Sequence, residues 1–172
     1  MILAMQSPAL RVATSELGEC ERLFLWCMRS WVHAAFHGTA SGDFIRLALK
    51  QHGLVSSGDD IEAMMGSLAR FAGGTIDVRI RRATELSGDE IRLVRALHAM
   101  FAERDGLAAD LLRPLVHQPG LGEVLDRLRA LGAAFRSAGL GPCAWPAPDR
   151  RRREPVETIR RRGRRAPGND VA

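Results

Sequence analysis

The spacing of apolar residues predicts a helical chain. Over most of its length, apolar positions recur every three or four residues, which is the period of an amphipathic helix. Segments with this period cover residues 16–37, 43–52, 59–72, 88–104, 107–116 and 119–138, and four of them are followed directly by a glycine. In the second segment, Phe44, Leu47 and Ala48 are predicted to face the core. The pattern therefore predicts an all-α fold, a compact orthogonal bundle of about six helices.

One short segment has a different period. Residues 75–80 (TIDVRI) alternate apolar and polar side chains, which is typical of a β-strand. A single strand leaves both edges unpaired, so a partner is expected. That partner could be residues 9–14 (ALRVAT) or a second subunit, and the segment has none if it is an extended crossover. We expect at most one short two-stranded pairing.

The start of the fourth helix has the clearest local signal in the chain. Ser87 occupies the N-cap position and Glu90 follows three residues later, which is the pattern of a capping box. Leu86 and Ile91 are placed to pack on each other across the cap. Further along, Pro114 is expected to shorten or kink the fifth helix, because proline lacks the amide hydrogen that a helix needs.

Composition limits the class of protein. The chain has 172 residues, of which 46% are hydrophobic and 26% charged, with three cysteines. This excludes a collagenous chain, a disulfide scaffold and a wholly disordered protein. No apolar run approaches the roughly 20 residues of a membrane span. The first residues, MILAMQSPALR, lack the features of a secretory signal, so we expect a cytoplasmic protein that does not enter a membrane.

The net charge of +5 is concentrated at the C-terminus. Residues 1–148 carry 16 basic and 16 acidic side chains, whereas residues 149–172 carry nine arginines and four acids. The second stretch has too few aliphatic side chains to offset a backbone entropy of about 1–2 kcal/mol per residue. We therefore expect a helical domain over 1–148 and a disordered tail over 149–172. The candidate phosphate-contacting residues of that tail are Arg150, Arg151, Arg152, Arg153, Arg160, Arg161, Arg162, Arg164 and Arg165.

The first helix carries the densest set of chemically distinctive residues. At about 100° per residue, a broad apolar arc that includes Cys20 and Cys27 is separated from a second arc. The second arc holds the candidate interaction surface of Arg22, Trp26, Arg29, His33 and His37. Trp26 among cations predicts either a contact anchor or a stacked surface residue, and ordinary burial is the competing interpretation. Because Leu25 and Phe36 lie on a further flank, the helix is expected to be central or to form a subunit interface.

Metal and catalytic motifs are weak or absent. His33 and His37 are four residues apart, as in metal-binding helices, but the sequence between them is not that of an HExxH motif. His52, His98 or His117 would have to supply a third ligand, and their spacing does not require it. We therefore expect no metal, no cofactor and no catalytic residues. Phosphate-binding glycine loops and GxSxG elbows are also absent.

A helix-turn-helix unit in the last three helices is disfavoured, because Glu123 and Asp126 face outward near the start of the last helix and would repel phosphate. The leading hypothesis is a small non-catalytic helical interaction protein, homo-oligomeric through its first helix. The alternative is a nucleic-acid-associated regulator whose tail arginines contact phosphates. A third hypothesis is a metal-dependent enzyme centred on His33 and His37.

Overall fold

The computed structural model describes residues 11–142 and contains six α-helices in that range. They are α1 (Glu19–His37), α2 (Gly42–Gln51), α3 (Ser57–Arg70), α4 (Gly88–Phe101), α5 (Asp105–Leu112) and α6 (Gln118–Ser137). Within the described range there are two isolated β-bridges and no strand. The predicted all-α bundle is therefore confirmed. The tail predicted over 149–172 and the end of the predicted domain at 148 lie outside the described residues.

Most helix ends follow the sequence signals. Gly38 ends α1 with a φ of 64°, in the left-handed region that glycine adopts without strain. The capping box of α4 is present, because the Ser87 hydroxyl accepts from the Glu90 amide at 3.0 Å and Glu90 accepts from the Ser87 amide at 2.9 Å. The fifth helix ends at Leu112, before Pro114.

The start of α1 differs from the prediction. A 3-10 turn, Thr14–Glu16, precedes it, and Gly18 is the N-cap of the helix, so α1 begins at Glu19 and not near residue 16. The Glu16 carboxylate accepts a hydrogen bond from the Ala13 amide at 2.7 Å, which closes the turn before the helix begins. This local hydrogen bond competes with continuous helix.

Buried apolar side chains from all six helices form one core. Helix α3 packs mainly on α6, α4 packs on α5 and α6, and α1 contacts α2, α3 and α4. The largest fully buried side chains come from every helix, and include Phe24, Met28, Ile45, Ile61, Met64, Leu97, Leu112, Leu128 and Phe135. Ten of the nineteen residues of α1 are buried, so this helix contributes to the core.

The buried face of α2 was predicted wrongly. Ile45 and Leu49 are fully buried, whereas Phe44 is 44% and Leu47 is 62% exposed. The turn after the helix explains why Ile45 and Leu49 are the buried residues. The Leu54 amide donates to the Leu49 carbonyl at 2.9 Å, and the side chains of Leu49 and Leu54 are both buried. The path of the chain into α3 therefore decides which of two adjacent apolar stripes faces inward.

Residues 75–80 form an extended crossover between α3 and α4, with no strand paired to them in the described part of the chain. The described end of the 9–14 segment pairs elsewhere: the Thr14 amide donates to the Thr84 carbonyl at 2.8 Å, and the Leu86 amide to Val12 at 3.0 Å. The crossover is instead held at the start of α4, where the Asp77 amide donates to the Asp89 carboxylate at 2.9 Å.

Candidate binding groove

A buried ion pair joins α1 to α4 beneath the crossover. The Arg29 guanidinium donates to both carboxylate oxygens of Glu90, at 2.7 and 2.9 Å, and the two side chains are 3% and 0% exposed. Arg29 also donates to the carbonyls of Ala83 and Glu85 at 2.8 and 3.0 Å. Glu90 additionally accepts from the Arg79 amide at 3.0 Å. Two charges can be buried here because hydrogen bonds surround both of them.

This network shapes a groove between α1 and the crossover. The groove has a volume of about 580 Å³, and Val32, His33, Phe36 and His37 of α1 line it together with residues 78–82 and the buried Arg29. We call it the α1 groove. Among the described residues that line it, there is no aspartate or glutamate. Its volume falls within the range of about 300–1,000 Å³ that ligand sites in proteins occupy.

The α1 groove combines apolar and cationic side chains. Phe36 is 85% exposed and Ile80 is 78% exposed, although both are large hydrophobic residues. Arg79 has an ion pair with Asp77 at 3.4 Å. No carboxylate in residues 11–142 lies within ion-pair distance of Arg81 or Arg82, so their charge is compensated mainly by solvent.

A second, smaller depression lies on the other side of Arg81 and Arg82. It has a volume of about 260 Å³ and is bordered by Arg22, Trp26 and Thr84 as well as by the two arginines. Trp26 is half-buried, and the Arg22 side chain donates to the Leu17 carbonyl at 3.0 Å. Arg81 and Arg82 therefore border both depressions along one flank of α1.

The structure divides the interaction surface predicted on α1. His33 and His37 line the α1 groove, and Arg22 and Trp26 border the smaller depression. Arg29 was expected on the outward arc but is buried, because Glu90 and two backbone carbonyls draw its guanidinium inward. It supports the groove and is not part of an exposed surface.

Sequence reasoning missed the contribution of residues 79–82 to the groove. Arg79, Arg81 and Arg82 face the groove, and the signal was the run RIRR directly after an alternating segment. A helical projection groups residues of one helix and cannot bring a loop distant in sequence beside it. The three arginines therefore enter the site through tertiary structure.

Two histidine rings of α1 lie next to each other in the α1 groove. The His33 and His37 rings are 4.4 Å apart between centroids, at a tilt of 44°. No cluster of three or more histidine, cysteine or acidic residues suited to a metal occurs among residues 11–142. Cys27 lies in the core, and burial raises the pKa of its thiol to about 12, so it is not an activated nucleophile.

No helix in the described part of the chain is both long enough and apolar enough to span a membrane. Comparison with protein-family models, with curated proteins and with solved structures gives no match to this chain. The assignment of function therefore depends on the geometry and charge of the α1 groove.

Proposed function

We propose that this protein is a small non-catalytic interaction protein that binds an acidic segment of a partner protein in the α1 groove. The observation that carries the proposal is the composition of the lining: it combines arginine and histidine with large apolar side chains, without a lining carboxylate in the described range. Exposed apolar residues rimmed by polar groups mark interaction sites, and arginine is enriched at such sites.

Charge complementarity favours an acidic partner. Arg81 and Arg82 lie on a five-residue stretch, 78–82, of which every residue lines the groove. A guanidinium can bind a carboxylate through two parallel hydrogen bonds, which adds geometric specificity to the charge attraction. Phe36 and Ile80 provide apolar contact area beside these charges.

The same charges weigh against self-association through this flank of α1. A two-fold dimer brings the same patch of each subunit together. Arginines would then face arginines, which costs free energy unless acidic residues intervene. The homodimer predicted from the apolar character of α1 is thus the less favoured form of the proposal. Sedimentation velocity over micromolar concentrations distinguishes a homodimer from a monomer that binds an acidic partner. If a dimer forms and Phe36→Ala weakens it, the homodimer becomes the favoured form of the proposal.

A second candidate function is nucleic-acid binding, because Arg81 and Arg82 have the same sign of charge as the nine arginines of the sequence 149–172. Phosphate contacts by all nine would give a log–log salt slope on duplex DNA of about −8. Arg81 and Arg82 would add to that slope if DNA used the groove as well.

The decisive experiment compares two probes on the full-length chain. Binding of a labelled twelve-residue glutamate-rich peptide and of a 16-base-pair DNA duplex is measured by fluorescence anisotropy. The groove variant is Arg81→Ala with Arg82→Ala. The matched control is Arg95→Ala with Arg104→Ala, which removes the same charge from two exposed residues that border a different depression. Both double variants are also made in a chain whose nine tail arginines are changed to glutamine, and the two probes are measured again.

The proposal expects the groove variant to weaken peptide binding at least tenfold and the control to change it less than threefold. Both results should persist when the tail is neutralised. If tail neutralisation alone abolishes binding of both probes, and the groove variant leaves it unchanged, the acidic-partner proposal is wrong. If the chain with its natural tail then binds duplex DNA more tightly than the acidic peptide, the nucleic-acid alternative is favoured.

A further inference from the structure

One edge of the crossover is occupied, and the other is open. In an extended chain, backbone groups of alternate residues point to opposite edges. The amides of Asp77 and Arg79 donate to Asp89 and Glu90, and the Asp77 carbonyl accepts from the Ser87 hydroxyl. These three bonds fix one edge of the segment against the start of α4.

The opposite edge belongs to Ile76, Val78 and Ile80. No hydrogen bond in residues 11–142 involves the amide of any of the three or the carbonyls of Ile76 and Val78, and the Ile80 carbonyl closes a turn with the Ala83 amide. Buried backbone groups are almost always paired, so unpaired groups of this kind are hydrated at an open edge. An open edge is a template on which another strand can pair.

Two concave sites lie side by side along this segment. The first is the α1 groove. The second is a cavity of about 200 Å³ whose lining is entirely apolar and includes Trp31, Leu68, Ile76 and Leu93. Val32 and Val78 line both. A strand placed along residues 76–80 would therefore run beside two sites that can receive its side chains.

We propose that the acidic partner binds as an added β-strand on the open edge of residues 76–80. This inference rests on the proposed function and specifies the conformation of the partner. Backbone hydrogen bonds to Ile76, Val78 and Ile80 supply affinity that is independent of sequence. Pockets for alternate side chains supply specificity, as in other cases of strand addition.

The two faces of the added strand have different chemistry. Side chains of successive residues point to opposite faces, so every second residue of the partner can enter the apolar cavity or the α1 groove. The remaining residues carry the acidic groups, and Arg79, Arg81 and Arg82, which line the α1 groove beside the open edge, are the cations available to them. The partner segment is thus expected to alternate aliphatic and acidic residues over about five to six positions, the usual length of a strand.

The arginines also have a purely protective interpretation. Charged side chains beside an open edge discourage uncontrolled pairing with other chains. Under that interpretation the edge binds no strand at all, including one with acidic residues. Binding of a short acidic peptide distinguishes an edge that the arginines protect from an edge that recognises a partner strand.

The probe is an eight-residue peptide of alternating valine and glutamate, capped at both ends, added to the 172-residue chain. Two further peptides have the same sequence but carry N-methyl groups on the odd or on the even residues. N-methylation removes backbone donors along one edge of the peptide and leaves its charge unchanged. Binding is measured by calorimetry, and hydrogen exchange is measured residue by residue in the crossover.

Strand addition predicts an asymmetric result. One methylated peptide should bind at least tenfold more weakly than the parent, and the other should bind within threefold of it. Exchange of the Ile76, Val78 and Ile80 amides should slow at least tenfold in the complex. The Asp77 and Arg79 amides, already bonded to carboxylates, are the internal control and should change little.

Failure of the inference is distinguishable from failure of the proposed function. If all three peptides bind equally and exchange at the three open amides is unchanged, the partner does not add as a strand, although the groove still binds acidic chains. If the parent peptide fails to bind while the twelve-residue glutamate-rich peptide binds, strand addition is likewise overturned. If neither acidic probe binds, the proposed function itself is wrong and the protective interpretation of the arginines stands.

Discussion

Arg29 and Glu90 are 61 residues apart in the chain, yet they form two hydrogen bonds of 2.7 and 2.9 Å in the interior. The pair holds three pieces of structure together, because Glu90 also caps α4 and accepts from the crossover amide of Arg79. The crossover can line the α1 groove only in the position that this network gives it. The stability of the fold and the shape of the α1 groove are therefore coupled through one ion pair.

Removing one member of this pair should destabilise the fold strongly. Arg29→Ala leaves the Glu90 carboxylate buried without its cation, which is expected to cost about 3–5 kcal/mol in the free energy of unfolding. Urea denaturation followed by circular dichroism measures the change. The matched control is Arg92→Ala, which removes a part-exposed partner of Asp89 and should cost no more than about 1 kcal/mol. Equal costs for the two variants would contradict the role of the buried pair.

The contact between α3 and α6 depends on a glycine. A side chain at Gly120 would overlap the ring of Phe71, whereas one at Gly122, two residues along the same helix, meets no atom within 4 Å. Gly120→Ala is expected to destabilise the protein by about 1–3 kcal/mol through overpacking. Gly122→Ala should stabilise it by about 0.5–1 kcal/mol, because alanine has the higher helix propensity. Thermal unfolding of the two variants checks the opposite signs.

The buried thiol of Cys27 should be chemically protected. Burial raises its pKa from 9.0 to about 12. At pH 8 the thiolate fraction then falls by a factor on the order of 10³, and alkylation by iodoacetamide should slow at least as much relative to the unfolded chain. Peptide mass spectrometry after timed labelling gives the rate for this cysteine separately from the others. Labelling of Cys27 at the unfolded rate in native buffer would show that it is not in the core.

The raised pKa of Cys27 also makes the stability of the fold depend on pH in the alkaline range. The folded state holds the Cys27 proton more tightly than the unfolded state does. Its contribution to stability is therefore complete below about pH 9, the unfolded pKa, and is lost as the pH rises toward 12. Cys27→Ala should flatten this part of the stability profile while lowering stability at neutral pH through the lost packing.

At the α3–α6 contact, a serine controls the titration of a carboxylate. The Ser67 hydroxyl donates to Glu123 at 2.6 Å, and this bond, followed by the charge of Arg70, lowers the pKa of Glu123. Ser67→Ala should raise that pKa toward its ordinary value, so the stability that Glu123 contributes would be lost at a higher pH on acidification. An NMR titration of the Glu123 carboxyl carbon measures the shift. Ser137→Ala, whose hydroxyl bonds to its own helix, is the control.

Sequence periodicity was sufficient for the helices but not for their orientation. The capping box at Ser87 and Glu90 and the stop at Gly38 were predicted correctly, because each involves residues within one turn of one another. In α2, two apolar stripes lie side by side, and periodicity alone does not choose between Phe44 and Ile45. The connection to α3 makes that choice.

In the candidate site, too, local relations between residues were predicted correctly and contacts between distant residues were not. The sequence placed His33 and His37 on one face of α1, because a spacing of four residues fixes their relation in any helix. It placed Arg29 there as well, since projection cannot show that Glu90 of another helix lies within hydrogen-bonding distance.

By itself, then, the sequence determined what local interactions govern: the number of helices, most of their ends, and the pairing of residues within a helix. Only the tertiary structure decided which polar residues are buried, which apolar residues stay exposed, and that Arg81 and Arg82 lie beside α1. The physical reason is that burial depends on partners far apart in the chain, and a helical period contains no information about them.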